Sequence, residues 1–224
     1  MKIVDEKMEI QLELIENQIQ ILVLENEQTF SNVIMQFLKL SQNVESQWLL
    51  MEQDKILQFH KIGQVIVDPF SIDNNERKII QKVYQEMQIC AQEEFAIETA
   101  EINACIVSYI EEITQKMPYN LVFDLNLDFQ GILKTYGVRL ETCMERLIER
   151  LVDYIKLLKR VLGITVVVFI NLKTYLSEKE LELLYEACKY EKIYIILIEN
   201  VMRQRITGEN ICIVDRDGCI IKID

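Results

Sequence analysis

The sequence predicts an α/β fold, a degenerate P-loop-like α/β head with an α-helical domain inserted into it, and three observations carry that reading. The first is Gly163–Asn171, GITVVVFIN, where a helix-breaking glycine opens a β-branched run that ends on a polar residue. LKTYLSEKELELLYEACKYEK follows, and then a second strand-like run, IYIILIEN. Strand, amphipathic helix and strand within about 40 residues make a βαβ unit, hence a parallel sheet flanked by helices. The second is Asn74–Gln115, which lacks Gly and Pro and repeats apolar residues every three to four positions. The third is composition. Half of the 224 residues are hydrophobic, with two prolines and six glycines, which favours long helices and a sizeable core over a turn-rich all-β fold.

In chain order, Met8–Ile15 (MEIQLELI) alternates apolar and polar residues, and Gln18–Glu25 (QIQILVLE) alternates before turning continuously apolar. With Glu16-Asn17 as the turn, these runs read as paired strands. Ser31–Leu40 carries Val33, Ile34, Phe37, Leu38 and Leu40 at helical spacing. Gln47–Met51 and Gln64–Val67 are strand candidates, the second stopped by Asp68-Pro69. Ile79, Val83 and Met87, then Ile102, Ile106, Tyr109 and Ile113, predict two helices broken near Phe95–Thr99, with Asp73 and Thr99 as candidate caps. Pro118 ends the pair. Asp128 is placed to cap a short helix through Tyr136 that stops at Gly137, and Glu141–Leu162 reads as one long helix. NICIVDRDGCIIKI forms a hairpin turning at Asp217-Gly218. The head is therefore built from both ends of the chain: residues 1–72 are its first part, 73–140 the helical insertion, and 141–224 the long helix and the rest of the head.

A net charge of −12 argues against a generic polyanion-binding domain, which is usually basic overall, yet leaves room for a local basic patch. The six cysteines include no CxxC pair and mostly fall on apolar faces, as buried free thiols of a reducing compartment do. No apolar h-region opens the chain, and the longest uninterrupted apolar run, Ile193–Ile198, is far below the ~20 residues of a membrane span. These features predict a cytoplasmic protein with no membrane partner.

Nucleotide chemistry is missing where the fold would place it. Ligands of parallel sheets sit beyond the carboxyl ends of the strands. Asn171 and Glu199-Asn200 stand there in place of an aspartate or a glycine-rich loop. No GxxxxGKS/T occurs, and Ile19–Glu25 runs into Asn26-Glu27-Gln28-Thr29-Phe30, with no glycine for close approach and no lysine for phosphates. Glu25 and Glu27 would repel them. The single histidine, His60, excludes His-dyad and HExxH chemistry and reads as a surface or packing residue. No serine or cysteine has a recognisable base, so the sequence predicts a protein without catalytic activity.

Two clusters stand out against this background. In VFDLNLDFQG, Asp124, Asn126 and Asp128 place oxygens at alternating positions, with Glu141 beyond, a donor set suited to a hard cation such as calcium. It is no EF-hand, because Phe129 and Thr135 stand where the glycine and the bidentate glutamate belong. A turn followed by the Asp128 cap is the plainer account. Charge is also segregated. Residues 1–54 carry three lysines against ten acidic residues, and residues 92–115 carry six acidic residues and no basic one. Lys134–Arg160 instead holds seven basic residues against four acidic. Lys134, Arg139, Lys156, Lys159 and Arg160 are the candidate phosphate contacts of such a surface. Pairs at i,i+3 (Arg146–Glu149, Arg150–Asp153, Asp153–Lys156) and complementarity to a helix C-terminus explain the same residues without DNA.

ILVLENEQTFSNVI, VIVDPFSIDNNERKII, ILKTYGVRLE (Ile132–Glu141), VVVFINLKTYLSEKELELL and IYIILIEN follow one another along nearly the whole chain. None is a sharp motif, but their succession resembles the small accessory adaptation protein of type II-A CRISPR systems. The resemblance implies a non-catalytic protein whose α/β head is like a nucleotide-binding domain without its site, with a helical leg inserted. It implies a ring-shaped homotetramer whose basic channel takes double-stranded DNA by its ends during spacer acquisition, beside the CRISPR integrase complex and the effector nuclease. It also implies calcium, carried over here onto Asp124, Asp128 and Glu141, with Asn126 assisting. PYNLVFDLNLDFQG is poorer in carboxylates than the family pattern, with Asn120, Asn126 and Gly131 among its residues, so weakened calcium binding is expected. Two other functions compete: an acidic protein–protein adaptor with weak or no DNA binding, and a divergent nucleotide-dependent enzyme, against which the absent phosphate loop weighs.

Overall fold

The computed structural model describes residues 1–53, 55–142 and 146–223. Its first strands, β1 (Lys2–Asp5) and β2 (Ile10–Glu13), pair antiparallel with Ile3 opposite Leu12. The chain turns at Glu16-Asn17 and enters β3 (Ile19–Leu24), every residue of which is buried. The hairpin expected between Met8–Ile15 and Gln18–Glu25 is not formed, because β2 and β3 belong to different sheets. The cause is visible in their patterns. β2 alternates buried and exposed, as in a sheet with one wet face, whereas β3 is buried on both faces and suits the interior of a parallel sheet.

Helix α1 (Glu27–Ser41) follows β3, then β4 (Trp48–Glu52), β5 (Lys55–Leu57), a single turn α2 (Phe59–Ile62) carrying half-buried His60, and β6 (Gly63–Ile66). After the helices of the insertion, α3 (Arg77–Glu93), α4 (Ala96–Thr114) and α5 (Phe129–Thr135), come α6 (Leu147–Leu162) and β7 (Val166–Ile170). A 3-10 turn at Leu172–Thr174 leads to α7 (Glu178–Tyr190), β8 (Tyr194–Glu199), β9 (Glu209–Val214) and β10 (Ile220–Ile223).

Among the described residues the strands form two sheets, one ordered β2-β1-β4-β5 and one ordered β10-β9-β3-β8-β7-β6. In the larger sheet β9, β3, β8, β7 and β6 run parallel, and only β10 is antiparallel to its neighbour. The βαβ unit read from the sequence is β7-α7-β8, with Val168 opposite Ile196. Ser177 and Glu180 close a capping box at the start of α7, and Gly163, left-handed at φ 70°, ends α6.

One face of the larger sheet supplies Leu22, Leu24, Val168, Ile170, Ile196 and Ile198 to a buried cluster with Phe37, Phe59, Trp48 and Leu50, so the small sheet and α1 share one core with it. Phe37 and Trp48 meet there with ring centroids 4.9 Å apart. The alternate residues Ile21, Val23, Val167, Phe169, Ile195 and Leu197 are buried on the other face, where α7 packs on β8 and α6 packs on α7.

Contact clustering separates Asn75–Thr142 from a unit formed by the two ends of the chain, Met1–Asn74 with 143–224. Within the smaller unit Asn75 ties start to finish: its amide donates to the Leu140 carbonyl (3.1 Å) and accepts from the Leu140 N–H (2.8 Å). Tyr84 donates to the Val138 carbonyl at 2.8 Å. Ile79, Tyr84, Ala91 and Leu133 are buried, but α4 buries none of its residues.

Several local expectations need correction. The residues flanking α3 and α4 at their starts are Glu76 and Phe95, not Asp73 and Thr99; Thr99 lies inside α4 and donates to the Ala91 carbonyl at 3.1 Å. Glu141 and Thr142 are not helical, and α6 begins at Leu147, where the apolar stripe Ile148, Leu151, Ile155, Leu158 first meets the core. The described cysteines are all free, but only Cys188 and Cys212 are buried, while Cys105 and Cys219 are exposed; Cys143 lies outside the described residues. Among the described residues no helix is long and apolar enough to cross a membrane.

Candidate nucleic-acid interface and strand-end site

The carboxyl end of β3, where a phosphate loop would start, goes straight into α1. Asn26 caps that helix, its Oδ1 accepting from the N–H groups of Gln28 (3.0 Å) and Thr29 (3.1 Å). A side chain of the chain itself thus takes the donors a phosphate would need. At the end of β7, Asn171 adopts a left-handed conformation (φ 52°). Its N–H donates to the Ile198 carbonyl (2.8 Å) and its Oδ1 accepts from the Asn200 N–H (3.1 Å). Asn171 therefore binds the ends of two parallel strands together, a structural task that an asparagine performs well in that conformation.

Beneath this end lies a buried polar network that the sequence reading did not anticipate. Lys173 is buried and its Nζ donates to Glu209 (2.9 Å) and to the Gln204 carbonyl (2.8 Å). Tyr185 donates to the other Glu209 oxygen at 2.7 Å, and the Ile206 N–H reaches Glu209 at 2.9 Å. Glu199, also buried, accepts from the Lys173 N–H at 3.0 Å, while its second oxygen has no partner among the described residues. Burial pushes the Glu199 carboxyl up from 4.5 to about 7, against the opposing pull of the Lys173 N–H and the Arg203 and Lys173 charges. Desolvation and the Glu209 charge also push the Tyr185 phenol far up, and burial does the same to the Cys188 thiol. These groups are locked into the core, where Lys173 and Tyr185 both hold the Glu209 carboxylate.

The candidate basic residues fall into two sets. Lys156, Lys159 and Arg160 lie on the last turns of α6. Lys156 bonds Asp153 at 3.0 Å, and Arg160 bonds Glu191 through Nε (3.3 Å) and a terminal nitrogen (2.5 Å), its side chain still 62% exposed. Its guanidinium pKa is raised by the Glu191 hydrogen bond and charge. Lys134, on the last turn of α5, and Arg139 are exposed. Of the expected i,i+3 pairs, Arg146–Glu149 and Asp153–Lys156 form. Arg150 instead donates to the Phe70 (3.1 Å) and Ile72 (2.8 Å) carbonyls, fastening the segment after β6 to α6.

In the acidic stretch, Asp124 accepts from the Asn126 N–H (3.0 Å), and Asp128 caps α5 by accepting from the Gly131 N–H (2.9 Å). Asp124, Asn126, Asp128 and Glu141 are all exposed. Their oxygens suit calcium in kind, but among the described residues no three His, Cys, Asp or Glu side chains converge to hold a metal ion.

The sequence profile of the CRISPR-associated protein family Cas_Csn2 matches residues 39–218. The chain belongs to the Cas_Csn2 family. This membership makes it an accessory protein of CRISPR adaptation. Its fold is similar to the crystal structure of Stu0660 of Streptococcus thermophilus, with a TM-score of 0.64 and 14% identity, covering 100% of this chain and 76% of that one. No curated protein matches the chain. At that identity the likeness to Stu0660 concerns the fold, and the Cas_Csn2 membership rests on the profile.

Proposed function

We propose that this Cas_Csn2 protein is a non-catalytic binder of double-stranded DNA ends that acts in spacer acquisition as a homotetrameric ring. Family membership across residues 39–218 is the observation that carries the reading. The capped α1 terminus supports a head without nucleotide chemistry. The apolar residues that α4 leaves exposed, Ile97, Ile102, Tyr109 and Ile113, supply surface that contact between copies would bury. With a net charge of −12, DNA binding requires basic groups to converge, and a ring brings four copies of each to one channel. Lys134, Arg139, Lys156, Lys159 and Arg160 are the proposed phosphate contacts. The proposed partners are the CRISPR integrase complex and the effector nuclease, in the cytoplasm.

Calcium belongs to the same proposal. Asp124, Asn126, Asp128 and Glu141 would hold it through hard oxygens, and because they do not converge, binding requires their segment to rearrange and is weak.

The DNA surface is tested by replacing Lys156, Lys159 and Arg160 together with Gln and titrating a short linear duplex at several salt concentrations. The affinity of the native protein falls steeply with salt, and the triple variant binds more weakly with a flatter slope, since the slope counts neutralised phosphates. An unchanged slope would move the interface away from α6.

A further inference from the structure

We propose that the free edge of β2, with the cavity beside it, takes an extended basic polypeptide segment of a partner protein. The cavity has a volume of about 370 Å³ and is lined by three consecutive residues of β2, Gln11, Leu12 and Glu13. Side chains of a strand alternate between faces, so three in a row along one cavity mean that the cavity follows the strand's edge. Among the described residues that edge is unpaired: β2 is the outermost strand of its sheet, bonded only to β1. Its outward N–H and C=O groups are a template for one more strand.

The other wall mixes apolar residues, Ile211 and Cys212, with polar ones. Gln20 and Asn210, from β3 and β9, line the cavity. Gln20 is 5% exposed, and its Nε2 is buried with no hydrogen-bond partner among the described residues. A buried amide left unsatisfied costs free energy until an acceptor reaches it. A peptide strand carries such acceptors at every residue, its carbonyl oxygens. Charge sets the composition of the segment. Glu6, Glu9, Glu13 and Glu16 are exposed on β2 and its flanks, against exposed Lys7. Lys222 of β10 also lines the cavity, so the negative excess belongs to the β2 side, where a basic segment is favoured. The inference does not depend on DNA binding, and its failure leaves the salt-slope result intact.

The test uses the full chain and three labelled nine-residue peptides: Lys alternating with Val, Glu alternating with Val, and the Lys peptide with Pro in place of alternate Val. Fluorescence polarisation and hydrogen exchange of the Ile10–Glu13 segment are the readouts. The Lys–Val peptide binds saturably and slows exchange in β2, while the Pro peptide, equal in charge but unable to pair, binds at least tenfold more weakly. Glu13→Lys, at an exposed position, weakens the Lys–Val peptide at least tenfold. Equal binding of the Pro peptide, equal binding of the Glu peptide, no change with Glu13→Lys, or no saturable binding each overturns the proposal.

Discussion

The larger unit and the Asn75–Thr142 unit hold apolar residues in opposite ways. In the larger unit the runs Ile19–Leu24, Val166–Ile170 and Ile195–Ile198 are buried on both faces, and the small sheet, α1 and α7 cover them. In the smaller unit α4 repeats apolar residues at helical spacing, yet Ile97 is 73% and Tyr109 65% exposed, and none of the helix is buried. Periodicity reports that a helix has an apolar face; it does not report what covers that face. The larger unit is stabilised by its own core, whereas α4 keeps apolar surface to spare.

The widest contrast is expected between two truncations. Phe37→Ala, which empties a fully buried site against Trp48, lowers unfolding free energy by roughly 3–5 kcal/mol. Ile102→Ala, at a position 53% exposed, costs under about 1 kcal/mol in the dissociated chain. Chemical denaturation of both variants, at a concentration where the protein is monomeric, checks this. A large loss for Ile102→Ala would mean that α4 is packed in the single chain.

Glu199 gives the next effect. Its carboxyl is raised from 4.5 to about 7 in the folded state, so the native protein holds the proton more tightly than the unfolded chain. Its favourable contribution is complete below pH 4.5, falls as pH rises, and is gone above pH 7, a span of about 3 kcal/mol. Glu199→Gln should remove that slope and raise stability at pH 8 by roughly 1–3 kcal/mol. Urea melts from pH 5 to pH 8 measure it; identical slopes in variant and native protein would mean that Glu199 is ionised in the fold.

Calcium gives the smallest effect and falls in the smaller unit. Millimolar calcium should raise the melting temperature by a few degrees at most, and Asp124→Ala should abolish the rise, because a ligand of the folded state stabilises only in proportion to its occupancy. No shift in the native protein would mean that these oxygens do not hold the ion.

The fold was legible where short-range chemistry decides. The β7-α7-β8 unit follows from two runs buried on both faces around one amphipathic helix, and α5 follows from Asp128 and Gly137 at its ends. Pairing was less legible. The alternation of Met8–Ile15 shows a strand but not its partner, which is β1 at Lys2–Asp5, a strand too short to read. The buried network was invisible because Glu199 and Glu209 lie 26 and 36 residues from Lys173 and only the fold joins them. Arg150 was read as a helix-surface pair because its backbone acceptors, Phe70 and Ile72, are about 80 residues away. For the basic residues, charge segregation marks a stretch of chain, and the side chains that meet phosphate depend on how copies assemble.

Whether this Cas_Csn2 protein takes DNA by its ends is decided by comparing linear duplex with a covalently closed circle of the same sequence and length. A ring that threads DNA binds the linear form far more tightly and shows no sequence preference, since phosphate contacts carry none. Equal affinity for the two forms would contradict threading.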